Sequence, residues 1–155
     1  VASVVNRETV RNSLAGMLSS ALVGSGKPVQ VVYSYKAAQL GGQTPVMVVA
    51  SRGSRRAPQE NLSYSPSVVL LDAFILVLYG VVSSSGTISW SAENSDDSLD
   101  LVEKSAMEVI LDNSGPNGNI WNKLWLDGTS GIDEQLLGSD IYRVERIPLA
   151  AELSI

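Results

Sequence analysis

Apolar positions along the chain follow two periodicities, and their order sketches the fold. Val10, Leu14, Met17, Leu18, Ala21 and Leu22 recur at the spacing of an amphipathic helix. Asn6 stands where an N-cap belongs, and Gly24, Gly26 and Pro28 mark the stop. From Val29 to Lys36 the period drops to two, with Val29, Val31, Tyr33 and Tyr35 set against Gln30, Ser34 and Lys36, which predicts a half-buried strand. Pro45 to Ala50 is a second strand, and with Gly41 and Gly42 between them the two are expected to pair as a loosely connected hairpin. Ser51 to Pro66 has no periodicity and is expected to be a long loop. Val68 to Tyr79 is apolar on both faces except at Asp72. A strand of that kind needs cover on both sides, from the rest of the chain or from a neighbouring subunit; a helix is the competing assignment.

Beyond a loop at Ser83 to Gly86 and a short strand at Thr87 to Ala92, a second helix is predicted over Asp96 to Asp112. Leu99, Val102, Ala106, Val109 and Ile110 line one side of it, and Asp96, Asp97 and Asp100 sit near its start, where negative charge favours the helix dipole. Gly115, Pro116 and Gly118 end that region. Three strands follow, Ile120 to Leu126, Ile132 to Leu137 and Ile141 to Ile147, separated by Asp127-Gly128 and by Gly138-Ser139-Asp140. Trp121 and Trp125 share strand parity and are expected on one face, either packed in the core beneath the helices or with one of them, Trp125 the candidate, extending to a subunit boundary. The whole predicts an α+β fold, a mostly antiparallel sheet with two helices packed on one face, in a single domain over residues 1–155.

Composition narrows the chemistry. With no His and no Cys, imidazole bases, thiolate nucleophiles, disulfides and the common structural zinc sites are absent, and no cofactor or metal is expected. Val68 to Val82 is too short for a membrane span of ~20 apolar residues and carries Asp72, so no membrane association is expected. Val1 to Val5 lacks the features of a signal peptide, and cytoplasmic synthesis is expected. The net charge of -5 is unevenly spread. Up to Gln59, seven basic residues face Glu8 alone; from Glu60 onward, fifteen acidic residues face four basic ones. Either the two halves pair inside one fold, or the basic part of one copy meets the acidic part of the next.

Individual motifs are weak. Gly24-Ser25-Gly26-Lys27-Pro28 fails as a phosphate-binding loop because Ala21 occupies the first glycine position and Pro28 the hydroxyl position. Asn61-Leu62-Ser63 matches a glycosylation sequon but has no secretory context. Arg52-Gly53-Ser54-Arg55-Arg56 is either a solvated turn or a contact for phosphate or an acidic partner, a role arginine clusters suit. Asp72, an acid in an apolar strand, is expected in an ion pair or at an exposed position, with a catalytic role as the sharper alternative.

The order helix, two strands, basic segment, long strand, acidic helix and closing strands resembles the tail terminator and tail-completion proteins of long-tailed bacteriophages. The likeness is strongest in the helix Leu99 to Asn113, followed by Trp121, Asp127-Gly128 and the run Ile141-Tyr142-Arg143-Val144-Glu145-Arg146-Ile147-Pro148. The resemblance implies a non-enzymatic virion protein made in the host cytoplasm. Such a protein forms a ring, usually a hexamer, on the head-proximal end of the tail tube and meets the head-completion proteins, with DNA passing through the ring. Candidate interface residues are Arg52, Arg55, Arg56, Asp72 and Trp125. Two other readings stand beside it: a small ligand-binding or enzymatic domain using Asp72, Tyr33 and Arg52 in a cleft, and another neck ring or tail-tube subunit.

Overall fold

The computed structural model describes residues 5–37, 40, 43–56, 67–79, 81–82, 88–90, 92–138 and 140–153. Its elements are α1 (Arg7–Leu22), β1 (Val31–Tyr33), β2 (Val46–Arg56), β3 (Ser67–Leu78), β4 (Val81–Val82), β5 (Ile88–Trp90), α2 (Ala92–Asp112), β6 (Trp121–Leu126), β7 (Gly131–Leu137) and β8 (Asp140–Leu153). Six strands form one sheet in the order β1-β2-β3-β8, with β6 and β7 both paired to β8; β4 and β5 make a separate two-stranded ribbon. All pairings are antiparallel except β1 with β2. The fold is α+β.

The helix-forming stretches end where local chemistry predicts. Asn6 Oδ1 accepts a hydrogen bond from Glu8 N–H at 2.8 Å and caps α1. At the other end Val23 N–H donates to Ser19 O at 3.0 Å, and Lys27 Nζ donates to Ser20 O at 2.9 Å. The Gly24 to Pro28 stretch is therefore a helix stop, as its mismatch to a phosphate loop implied. Helix α2 begins at Ala92, four residues before the expected Asp96, and its buried face is Leu99, Val102, Ala106 and Ile110.

Both helices lie on one face of the sheet. Val10, Leu14, Leu18 and Leu22 of α1 and the buried face of α2 meet Met47 and Val49 of β2, Val69, Leu71, Ala73, Ile75 and Val77 of β3, and Ile147, Leu149, Ala151 and Leu153 of β8 in one cluster. Each of the larger side chains, the valines, leucines, isoleucines and Met47, contributes about 1.5–3 kcal/mol when fully buried, so this layer holds most of the fold's stability. The other face of β3 is covered at one end by the chain itself: Leu76 and Leu78 pack with Leu40, Val46, Val48, Tyr142 and Val144. The strand thus receives its second cover from within the chain at that end, and a helix at this position is excluded.

Three expectations fail, each for a physical reason. β1 and β2 are parallel, with Val31 beside Val46 and Tyr33 beside Val48, and do not form a hairpin. Gln30 N–H donates to Pro45 O at 2.9 Å and Gln30 Oε1 accepts from Thr44 N–H at 2.9 Å, which sets both strands off from the same end. The intervening residues supply the dozen or so that a parallel connection requires. Second, Ser51 to Arg56 is not loop: it continues β2 against β3, with a bulge between Ser51 and Gly53 and a φ of +142° at Gly53. The remainder of the expected loop lies outside the described residues, as does the loop expected at Ser83 to Gly86. Third, the last strand does not stop at Ile147 but runs through Pro148 to Leu153.

That passage through a proline has a specific cause. In an antiparallel strand a residue's N–H and C=O point to the same side. Pro148 O accepts from Asp127 N–H at 2.9 Å, so the side on which Pro148 lacks a donor faces Asp127. There β6 has ended and β7 has not begun: Leu126 pairs with Leu149 and Gly131 with Arg146. β6 and β7 are two halves of one edge strand along β8, and the proline sits opposite the break, where no donor is required. Gly128, with φ +128°, makes the break, and a Cβ there would lie 3.6 Å from Pro148 Cγ.

Candidate interaction surface

The charged cluster nearest the sheet's centre is built around Asp72, on the face away from the helices. Asp72 of β3 lies between Ala50 of β2 and Pro148 of β8. The bulge in β2 turns Arg52 toward it, and Arg52 Nε reaches Asp72 Oδ1 at 3.2 Å. Arg146 Nε reaches the same oxygen at 3.0 Å, while Arg52 Nη2 lies 3.4 Å from Asp127 Oδ2. Two guanidinium groups thus balance two carboxylates, and the cluster ties β2, β3, β8 and the β6–β7 break together. Asp72 is only 8% exposed, and an acid at that depth requires such partners. Its charge is taken up within the chain. Asp127 and Arg146 were read from sequence as part of a turn and a closing strand and not as partners of Asp72, because neither is near it until β8 folds against β3.

Tyr33 is not part of that cluster. Its hydroxyl donates to Gln43 Oε1 at 2.6 Å, and the Tyr142 hydroxyl donates to Gln43 O at 3.1 Å. The apolar cleft beside them, lined among others by Leu40, Val48, Phe74, Leu76, Leu137 and Val144, has a volume of about 80 Å3 and includes none of Asp72, Tyr33 and Arg52. Small-molecule sites run to about 300–1,000 Å3. Broader depressions of about 540 Å3 between the helices and about 380 Å3 beside the α1–β1 turn are shallow and open to solvent. Among the described residues each of the three is lined by a single charged side chain, Lys36, Asp112 and Lys27 respectively. Paired acid-base chemistry needs two groups within reach of one substrate. Among the described residues no group of three or more acidic side chains is placed to hold a metal ion.

The tryptophans face opposite ways. A bulge between Trp121 and Lys123 shifts the register of β6 on β8, so Trp121 and Leu124 enter the helix-covered core while Trp125, opposite Ala150, is half-buried on the far face. Trp121 is fully buried and its Nε1–H donates to Asn113 O at 3.3 Å. The expectation of a shared face fails because one extra residue inverts every following side chain. Arg55 and Arg56 stand opposite Val68 and Ser67 at the far end of β2, and Arg55 is exposed.

The flank formed by β7 and the start of β8 was not singled out from sequence. Ile132, Leu136 and Ile141 are 52%, 66% and 45% exposed, and Leu136 is the cross-strand partner of Ile141. They alternate with Glu134 on one side of β7, a pattern that at the sequence level is indistinguishable from a strand with a buried face. Arg143 joins this flank to α2, with Nε 3.0 Å from Asp96 Oδ1 and Nη1 3.8 Å from Glu134 Oε1. Beneath it Glu145 is 4% exposed. Burial pushes its carboxyl above the ordinary glutamate range, a hydrogen bond with Ser130 opposes this, and the charges of Glu103 and Asp100 add to the rise.

No protein-family model matches the chain, and no curated protein matches it. Among solved structures it is similar to a chain of the virion of a native gene transfer agent particle, at 10% sequence identity and a TM-score of 0.44, over 95% of this chain and 92% of that one. A likeness at that level decides neither fold nor function.

Proposed function

We propose that this protein is a non-enzymatic virion assembly component, a tail terminator that forms a closed homo-oligomeric ring, of six copies by the resemblance, on the head-proximal end of a phage tail tube and joins it to the head-completion proteins. The observation that carries the reading is the flank of Ile132, Leu136 and Ile141, three large apolar side chains left exposed together, two on the edge strand β7 and one at the adjoining start of β8. Scattered exposed apolar residues are ordinary, whereas a group of them on one flank marks a contact surface. The sequence resemblance around Leu99 to Asn113, Trp121, Asp127-Gly128 and Ile141 to Pro148 supplies the kind of assembly. In this reading the ring's partners are its own copies, the tube and the head-completion protein, DNA passes through it, and its place is the virion neck.

The alternative of a metabolite-binding domain has less support, since Asp72 and Arg52 are engaged with each other and Tyr33 is tied to Gln43. Light scattering followed by negative-stain imaging tests the proposal. Closed rings of uniform size support it; open tubes indicate a tube subunit, and a monomer across the micromolar range, with or without tube protein, removes the terminator reading.

A further inference from the structure

The sheet has two open edges, and they are opposite in charge. On one side β7 pairs only with β8 among the described residues, which leaves its outer backbone groups without a strand partner from Gly131 to Leu137. This edge and its following turn carry Asp133, Glu134 and Asp140 and no basic residue. On the other side β1 covers β2 only from Val46 to Val48. The stretch Val49 to Arg56 has β3 on one side and no strand on the other among the described residues. It carries Arg52, Arg55 and Arg56 and no acidic residue. The two runs, seven residues in β7 and the last eight of β2, are of matching length.

We infer that the contact between copies is made edge to edge, with β7 of one copy lying along the distal half of β2 of the next; this rests on the ring reading above. Unpaired strand edges accept other strands unless charge or a bulge prevents it. Here charge prevents like from meeting like. Two β7 edges would bring Asp133 and Glu134 against their own copies, and two β2 edges would do the same with Arg55 and Arg56. Only β2 against β7 brings opposite charges together. A contact between two different surfaces is heterologous, and such contacts build rings when the rotation closes and filaments when it does not. The bulge at Arg52 assigns the arginines separate duties: Arg52 is turned to Asp72 within the chain, which leaves the exposed Arg55, with the Arg56 position at the strand's end, to give the edge its sign. The new strand pair would also adjoin Ile132 and Leu136, the apolar side chains of β7 that are more than half exposed.

A charge swap tests this. One variant carries Arg55→Glu with Arg56→Glu, the other Asp133→Lys with Glu134→Lys. Each alone presents two edges of one sign and is expected to require at least about tenfold more protein to assemble than the parent. Mixed in equal amounts, the reversed edge of each meets a complementary edge of the other, and the parent mass is expected to return. If the parent assembles and either variant assembles at the same concentration, or the mixture stays dissociated while both variants melt like the parent, the edge contact is wrong and the ring reading survives. A parent that never assembles overturns both. Should a reversed variant fold poorly, Arg55→Ser with Arg56→Ser and Asp133→Asn with Glu134→Gln replace them; an unchanged assembly threshold in both neutral variants overturns the inference.

Discussion

β6 and β7 are two halves of one interrupted strand, laid end to end along β8, yet they meet opposite environments. Trp121 and Leu124 of β6 are 0% and 2% exposed beneath the helices, while Ile132 and Leu136 of β7, on the same side of the sheet, are 52% and 66% exposed. Side-chain type does not explain the contrast, since both halves present large apolar groups. Cover does. The helix layer covers the start of β6 and thins by Leu126, which is 42% exposed, and β7 lies beyond it, where Arg143 of β8 bridges the flank to Asp96 of α2. Equal hydrophobicity therefore has two consequences. In β6 it stabilises the monomer, and in β7 it is left exposed.

Replacing Trp121 by Ala should have the largest effect on stability, a loss of about 3–5 kcal/mol that leaves little of a typical domain's margin; chemical denaturation checks it. A loss under about 1 kcal/mol would show that β6 is not the anchored half. Asp72→Ala should cost less, about 1–2 kcal/mol, because Arg52 and Arg146 are exposed enough for water to take over their hydrogen bonds. Truncating Trp125 on the far face of β6 separates packing from assembly: Trp125→Ala should leave a cooperative melting transition and weaken the assembled state.

Glu145 sharpens the comparison through pH. Its carboxyl titrates above the ordinary value in the folded chain, so between the unfolded value near 4.3 and the raised folded value the native state binds more protons than the unfolded one. Stability contributed by this group is therefore present at low pH and lost as pH rises through that window. Glu145→Gln should melt at a higher temperature than the parent at neutral pH, and the difference should vanish toward pH 4. An equal difference at both pH values would contradict burial as the cause.

Much of the fold was legible because its strongest periodic segments are long. β3 was recognised from an apolar run with one acid, and α2 from Leu99, Val102, Ala106 and Ile110, with only its first turn missed. What escaped depends on pairing partners that a single strand does not encode. The parallel direction of β1 is set by Gln30 against Thr44 and Pro45, and the passage of β8 through Pro148 by the break opposite it. The inverted parity of Trp125 follows from one extra residue in β6. Of the candidate site, the arginines were legible as a cluster, but their division between Asp72 and the free edge needed the bulge at Arg52. The β7 flank was legible only as alternation, since the sequence does not record where the helix layer ends.

The smallest predicted change in monomer stability belongs to β7, and it carries the central claim. Ile132→Lys combined with Leu136→Lys alters only exposed side chains, for which changes stay within about 0.5 kcal/mol. Light scattering of this variant beside the parent, at matched concentration and with melting temperatures recorded, is the most direct test. The account predicts an assembled parent and a dissociated variant that melts within a few degrees of the dissociated parent. A variant that assembles as the parent does would contradict it, as would a parent that stays monomeric throughout.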